Sequence, residues 1–68
     1  MSQSLDARGL RCPWPVLRLA AAMRDAPDVT ILVDDPAAPD EIGAVAAVNG
    51  WYVAVEQPGR LRVTQPPR

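Results

Sequence analysis

The sequence predicts an α+β fold: a two-layer α/β sandwich with a four-stranded mixed sheet and two helices on one face. Two observations lead to this prediction. Strand-like and helix-like segments follow one another in the order β-α-β-α-β-β, and only a proline-glycine turn separates the last two strands. The first two strands are joined through a helix, so we expect them to be parallel in a right-handed crossover. Two helices cannot cover both faces of four strands in 68 residues, so one sheet face should stay open.

The first half of the chain predicts a strand, a helix and a second strand. Residues 4–8 alternate between apolar and polar side chains and should form an edge strand that Gly9 ends. A helix is predicted over residues 13–26, because apolar residues recur at helical spacing and Pro27 stops them. Residues 29–34 are rich in β-branched residues, which is typical of a strand. The stripe of this helix that we expect to face the core is Val16, Leu17, Ala20 and Met23.

A second helix is predicted to begin at residue 37 or 39 and to end at residue 48. The Asn49-Gly50 pair that follows is a typical C-terminal stop. An alternative start has Asp35 as the cap and Pro36 as the first helical residue, which would place Pro39 in a loose first turn. Its predicted core stripe is Ile42, Val45 and Ala46.

The C-terminal part predicts a hairpin, with strands over residues 51–56 and 60–64 around a turn at 57–59. Residues 65–68 are expected to be a flexible tail. One hairpin face should carry Trp51, Val53 and Val55 together with the inward Leu61 and Val63, and Trp51 is expected in the core. The open face of the sheet is predicted to carry Thr30, Leu32, Tyr52, Ala54, Arg60 and Arg62.

The composition excludes several kinds of chemistry. The chain has one cysteine, no histidine, no lysine and seven arginines against eight acidic residues. One cysteine cannot form an internal disulfide, and without histidine there is no Ser-His-Asp triad, Cys-His pair or imidazole ligand for a metal. No metal site is therefore predicted. We expect a single small domain over residues 1–68, which buries only about 60% of its unfolded surface.

The charge and hydropathy patterns bear on partners and location. The net charge of −1 gives no overall attraction to nucleic acid or to an acidic membrane. No apolar stretch approaches the length of about 20 residues that spans a bilayer, and residues 1–9 contain no apolar signal region. The expected location is the cytoplasm, where a lone thiol stays reduced.

Cys12 stands directly before a helix start that contains Pro13 and Pro15. Proline favours the first turn of a helix, so these residues should stiffen its entry. The positive end of the helix dipole, together with Arg8 and Arg11, is expected to favour the thiolate form of Cys12. The carboxylates of Asp6, Asp34 and Asp35 would oppose this effect if they lie close to the thiol, which the sequence leaves open. A second interpretation remains open from the residues alone, in which Cys12 is a small buried hydrophobic residue.

The residues around Cys12 offer no obvious base, so a partner protein would have to supply the rest of any chemistry. Trp14 lies between the two prolines and is either an exposed contact for a partner or part of the packing. Asp34 and Asp35 are interpreted as strand-end and capping residues rather than as catalytic ones.

The run from Leu5 to Pro15, LDARGLRCPWP, resembles the signature of the TusA/SirA family of sulfur carrier proteins. That signature has Leu-Asp at the end of a strand, then Gly-Leu, then a Cys-Pro-x-Pro motif that opens a helix. The Asp34-Asp35-Pro36 segment resembles the family's Asp-Asp-Pro after its second strand, and the resemblance extends to about Val63.

The resemblance implies a βαβαββ sandwich in which Cys12 receives a sulfane sulfur as a persulfide. The implied donor is a cysteine desulfurase or a rhodanese-type sulfurtransferase, and the implied acceptor is a further relay protein. Such relays serve tRNA thiolation, molybdenum-enzyme maturation or sulfur oxidation. The resemblance implies no cofactor beyond the transient sulfur and a carrier rather than a stand-alone turnover enzyme, and we expect a monomer. The net charge predicts no direct nucleic-acid or membrane partner. Cys12 would be the catalytic residue, with Arg8, Arg11, Pro13 and Pro15 in support and Trp14 as a partner contact.

Two other functions remain as alternatives. The chain could be a regulatory or adaptor module that binds a partner through the open sheet face, with Cys12 incidental. It could also bind RNA, although the net charge and the lack of a basic stripe argue against this.

Overall fold

The computed structural model describes residues 2–66 and confirms the predicted order of elements. One sheet contains all four strands in the order β1-β2-β4-β3. Strand β1 pairs parallel with β2, whereas β4 pairs antiparallel with both β2 and β3, so the sheet is mixed as predicted. The elements are β1 (Ser2–Asp6), α1 (Trp14–Asp25), β2 (Asp28–Leu32), α2 (Ala38–Asn49), β3 (Tyr52–Gln57) and β4 (Arg60–Thr64).

The core lies between the two helices and one face of the sheet. In β2 and β4 every second side chain is fully buried, as the period of a strand with one covered face requires. The helices contribute their own fully buried side chains to the same cluster, Leu19 from α1 and Ile42 from α2. Burial of these aliphatic side chains is the main stabilising contribution in so small a domain. Neither helix among the described residues is long and apolar enough to cross a membrane.

Strand β1 begins and ends two residues earlier than predicted. It pairs in register with β2 from Ser2 onward, and the backbone N–H of Ala7 still donates to the carbonyl of Leu32 at 2.8 Å. The chain then turns at Gly9, whose φ of 83° is in the left-handed region that favours glycine. The local turn chemistry, rather than the apolar alternation, sets the end of this strand.

The buried face of α1 differs from the predicted stripe. Leu17 is 51% exposed, and Val16 and Ala20 are only partly covered. Met23 is buried as predicted, and the other fully or nearly buried positions are Pro15, Leu19 and Ala22. Their spacing is also helical, so the period was right and its phase was wrong. The first turn decides the phase, because Pro15 packs inward there.

Helix α2 begins later than the predicted cap implies. Its N-cap is Ala37 and its first helical residue is Ala38, so Asp35 is not the capping residue. Pro39 then falls in the first turn, where its missing N–H has no helical partner to lose. The predicted stop is confirmed, because Gly50 adopts φ 73° and its N–H donates to the carbonyls of Ala46 and Ala47.

The hairpin forms as predicted, apart from the exposure of Val55 in β3. Val55 lies opposite Leu61 and therefore on the predicted face, but it is 66% exposed, because β3 is the edge strand and the helices do not cover this position. The register shifts just beyond it, between Val55 and Gln57. Trp51 is partly buried and packs against the core. Gln65 was expected in the flexible tail, but its N–H donates to the carbonyl of Pro27 and its side chain to that of Met23. Residues 67–68 of the predicted tail lie outside the described residues.

The open face of the sheet carries the residues predicted for it. Its side chains lie in cross-strand rows, such as Thr30 beside Arg62 and Leu32 beside Arg60. The face is mainly polar, and its charged groups form pairs: Arg62 with Asp28 and Arg60 with Glu56.

Candidate functional site

The site lies on the loop between β1 and α1, residues 7–13, which we call the cysteine loop. Backbone hydrogen bonds between residues three positions apart fold this loop into turns. The N–H of Leu10 donates to the carbonyl of Ala7 at 3.2 Å, and the N–H of Trp14 donates to that of Arg11 at 2.8 Å. The loop is therefore a series of tight turns that delivers Cys12 to the start of α1.

The two prolines of the Cys-Pro-x-Pro motif have different roles. Pro13 is the N-cap residue of α1, and its carbonyl accepts the N–H of Leu17 at 3.1 Å. Pro15 is fully buried and anchors the first turn against the core. Between them Trp14 is 57% exposed, so the structure places it on the surface rather than in the packing.

The thiol of Cys12 is free and exposed. The alternative in which Cys12 is a small buried hydrophobic residue is therefore wrong. With Trp14 and Leu17 also exposed, the start of α1 presents one thiol beside two large apolar side chains.

Two adjacent carboxylates that follow β2 hold the cysteine loop. Asp34 accepts the N–H of Gly9 with both oxygens, at 2.9 and 3.0 Å. Asp35 Oδ2 accepts the N–H of Cys12 at 2.9 Å, and its Oδ1 accepts the N–H of Ala37 at 3.0 Å. The donated hydrogen bonds from Ala37 and Cys12 lower the pKa of Asp35, so this carboxylate stays charged. Asp34 and Asp35 are thus structural residues of the site, although not as the predicted helix cap.

The electrostatics at the thiol are opposite to the sequence-based expectation. The pKa of Cys12 is raised, first because the surrounding protein partly desolvates the exposed thiol. The carboxylate of Glu41, in the first turn of α2, adds to the effect because its negative charge favours the neutral thiol over the thiolate. Asp35 acts in the same direction through its charge. The predicted low-pKa thiol is therefore wrong for the free protein.

Of the two arginines expected to support the thiolate, Arg8 is paired with a carboxylate. It donates from Nε and Nη2 to Asp6 at 2.9 and 2.8 Å, and this pairing lowers the pKa of Asp6 to about 2. Arg11 is exposed, and its charge makes a small contribution to the lowered pKa of Asp35. The support that Arg11 gives to Cys12 stays a prediction.

Sequence reasoning missed Glu41 and the bridging role of Asp35. The Asp34-Asp35-Pro36 segment was a visible signal for the second, but the Cys12–Asp35 contact joins residues 23 positions apart. Nothing in the local sequence distinguishes Glu41 from an ordinary acid in the first turn of a helix, where such residues are favoured.

Comparison with known proteins agrees with the geometry. The model of the family described as Sulfurtransferase TusA matches residues 3–64. The crystal structure of a SirA-like protein from Desulfitobacterium hafniense is similar, with 28% identity and a TM-score of 0.71 over 91% of this chain and 92% of that chain. The family match covers nearly the whole chain, including the exposed thiol and the carboxylates that hold its loop. The chain therefore belongs to the TusA family of sulfurtransferases and sulfur carriers.

Proposed function

We propose that this protein carries sulfur as a persulfide on Cys12, taking it from a donor protein and passing it to an acceptor protein. The observation that carries the proposal is the exposed thiol of Cys12 on a loop held in place by Asp34 and Asp35. Relay between donors and acceptors is also how the family works. A relay needs an accessible thiol on a rigid element, and it needs neither a metal nor an enclosed pocket.

The transfer step is an exchange at sulfur. The thiolate of Cys12 attacks the terminal sulfur of a cysteine persulfide on the donor, forming a new S–S bond as the donor's own S–S bond breaks. The donor cysteine leaves as a thiolate with the bonding electron pair and takes up the proton that Cys12 released. No net oxidation occurs, and the same exchange in reverse roles passes the sulfur to the acceptor.

Because the pKa of Cys12 is raised in the free protein, we infer that the thiol is deprotonated only in the complex with the donor. At neutral pH the free protein holds the protonated thiol, which is a poor nucleophile. A donor that brings a base to the thiol would favour the thiolate. This dependence suits a carrier, because the thiol reacts mainly when a partner is docked.

Trp14 and Leu17 form the proposed contact surface for donor and acceptor. Both are more than half exposed, and both lie in the first turns of the helix that follows Cys12. Exposed aromatic residues are frequent anchors of protein interfaces.

The proposed partners are a cysteine desulfurase or rhodanese-type donor and a downstream sulfur acceptor. The proposed setting is the cytoplasm, with the protein working as a monomer and with no cofactor other than the transient sulfur. The pathway would be tRNA thiolation, molybdenum-enzyme maturation or sulfur oxidation, and the genes adjacent to this one would choose among them.

The test is incubation with a cysteine desulfurase and cysteine, or with thiosulfate-loaded rhodanese, followed by intact-mass measurement. We expect a gain of one sulfur atom that a reductant removes and that Cys12→Ser abolishes. A wild-type protein that gains no sulfur from either donor would contradict the proposal.

A further inference from the structure

We propose that Asp35 is a positioning residue for sulfur transfer: it fixes the backbone from which the Cys12 thiol projects and does not itself react. The inference rests on the proposed function, because it concerns the same thiol. It assigns a role in the chemistry to a residue that the sequence suggests only as a helix cap.

The geometry behind this proposal is a bridge made by one carboxylate. Its two oxygens separately accept the N–H of Cys12 and the N–H of Ala37, the N-cap residue of α2. The backbone carbonyl of Asp35 also accepts the N–H of Ala38 at 3.0 Å, so the bridge starts from a fixed point. The peptide group of Cys12 is thereby tied to the second helix, and its orientation sets the direction of the Cα–Cβ bond.

The cysteine has few other ways to be oriented by hydrogen bonds. Pro13 follows it and has no N–H to donate, and the next N–H, of Trp14, already donates to the carbonyl of Arg11. Asp34 also holds the loop, but it does so at Gly9. The contact between Asp35 and the N–H of Cys12 is therefore the direct hold on the reacting residue.

This arrangement has two consequences of opposite sign for the thiol. The charge of Asp35 disfavours the thiolate, so its removal should make Cys12 more acidic and more reactive toward any small reagent. The lost hydrogen bond should at the same time loosen the thiol and slow its reaction with a persulfide held at a fixed place in a donor protein. A residue that served only folding would not separate these two rates.

The experiment compares Asp35→Ala, which removes the charge and both acceptor oxygens, with Glu41→Gln in the full chain. Each variant removes one negative charge near the thiol, but Glu41→Gln leaves the Cys12–Asp35 hydrogen bond intact. Thiolate absorbance against pH gives the thiol pKa, and iodoacetamide gives the rate with a small reagent. Single-turnover transfer from thiosulfate-loaded rhodanese gives the rate with a protein donor.

We expect both variants to lower the thiol pKa and to speed alkylation at neutral pH. Transfer from rhodanese should be about tenfold slower in Asp35→Ala and no slower than wild type in Glu41→Gln. Equal transfer rates in the two variants would overturn the positioning role. If Asp35→Ala does not fold, Asp35→Glu serves instead: its charge keeps the thiol pKa raised while its longer side chain misplaces the bridge.

For Asp35→Glu we expect slow transfer with nearly unchanged alkylation, and transfer at the wild-type rate would overturn the proposal. Failure of the proposed function is a different result, because wild-type protein itself would then take no sulfur from rhodanese or from a desulfurase.

Discussion

The cysteine end of the molecule and the open face of the sheet use their carboxylates in different ways. On the open face, Asp28 and Glu56 pair with arginine side chains. At the cysteine end, Asp34 and Asp35 instead accept backbone N–H groups. The N–H groups held in this way belong to Gly9, Cys12 and Ala37.

This difference separates a solvated surface from a constructed site. Exposed ion pairs contribute little to stability, because water competes for the charged groups and the long side chains lose conformational freedom when they pair. Such pairs also leave the backbone conformation unconstrained. A carboxylate that accepts backbone N–H groups selects one loop conformation. Among the described residues, the carboxylates that accept backbone N–H groups are therefore grouped around the cysteine loop.

Gly59→Ala should have the largest effect on stability. It changes the point at which the hairpin turn contacts Val33, the residue just before Asp34 and Asp35. A Cβ at Gly59 would lie 2.6 Å from the carbonyl oxygen of Val33, and the residue has φ 79°. The N–H of Val33, which precedes Asp34, donates to the carbonyl of Gly59 at 2.8 Å. We expect the free energy of unfolding in urea to fall by about 1–3 kcal/mol.

Gly43→Ala is the matched control for that variant. A Cβ at Gly43 meets nothing within 4 Å, and the residue lies inside α2. Alanine there should raise the free energy of unfolding by about 0.5–1 kcal/mol. A Gly59→Ala protein as stable as wild type would show that the contact between Gly59 and Val33 is less tightly packed than the structure indicates.

Trp14→Ser tests whether partners dock at the cysteine end. Loss of an exposed aromatic anchor should lower the efficiency of sulfur uptake from a protein donor by about tenfold. Alkylation of Cys12 by iodoacetamide should not change. Tyr52→Ser removes an aromatic residue of similar exposure from the open face and should leave uptake unchanged. The reverse pattern would favour an adaptor function through the sheet.

The raised thiol pKa gives a pH dependence. The contribution of Cys12 to the free energy of unfolding is fully present below the pKa of the thiol in the unfolded chain. It is lost as the pH rises through the higher pKa of the thiol in the folded protein. We therefore expect wild-type protein to lose stability in the alkaline range, and Cys12→Ser to lack that part of the loss. Urea unfolding at a series of alkaline pH values measures both. Identical profiles for the two proteins would contradict the assigned electrostatics.

Arg62→Gln should have the smallest effect, because it breaks an exposed ion pair of the open face. Stability and sulfur uptake should stay close to wild type. The pKa of Asp28, which Arg62 lowers chiefly by donating hydrogen bonds from its side chain, should rise toward its ordinary value in an NMR titration. A clear loss of sulfur uptake would mean that the open face takes part in the relay.

The sequence was sufficient for the elements and insufficient for the site's electrostatics. Periodicity and turn residues predicted six elements in the right order, because these signals are local. The phase of α1 was wrong, since the tertiary packing of Pro15 and Leu19 decides it. The thiol pKa was predicted in the wrong direction for a similar reason. Arg8 and Arg11 are near Cys12 in the sequence, whereas the carboxylates that act on it, Asp35 and Glu41, follow β2 and are more than 20 residues away in the chain.

Sulfur carriage on Cys12 is tested most directly by the intact mass of the wild-type protein after incubation with a cysteine desulfurase and cysteine, measured beside that of Cys12→Ser. We expect one added sulfur atom on wild type, located on Cys12 by peptide mapping and lost on reduction, and none on the variant. Wild-type protein without added sulfur, or a Cys12→Ser variant that still carries it, would contradict sulfur carriage on Cys12.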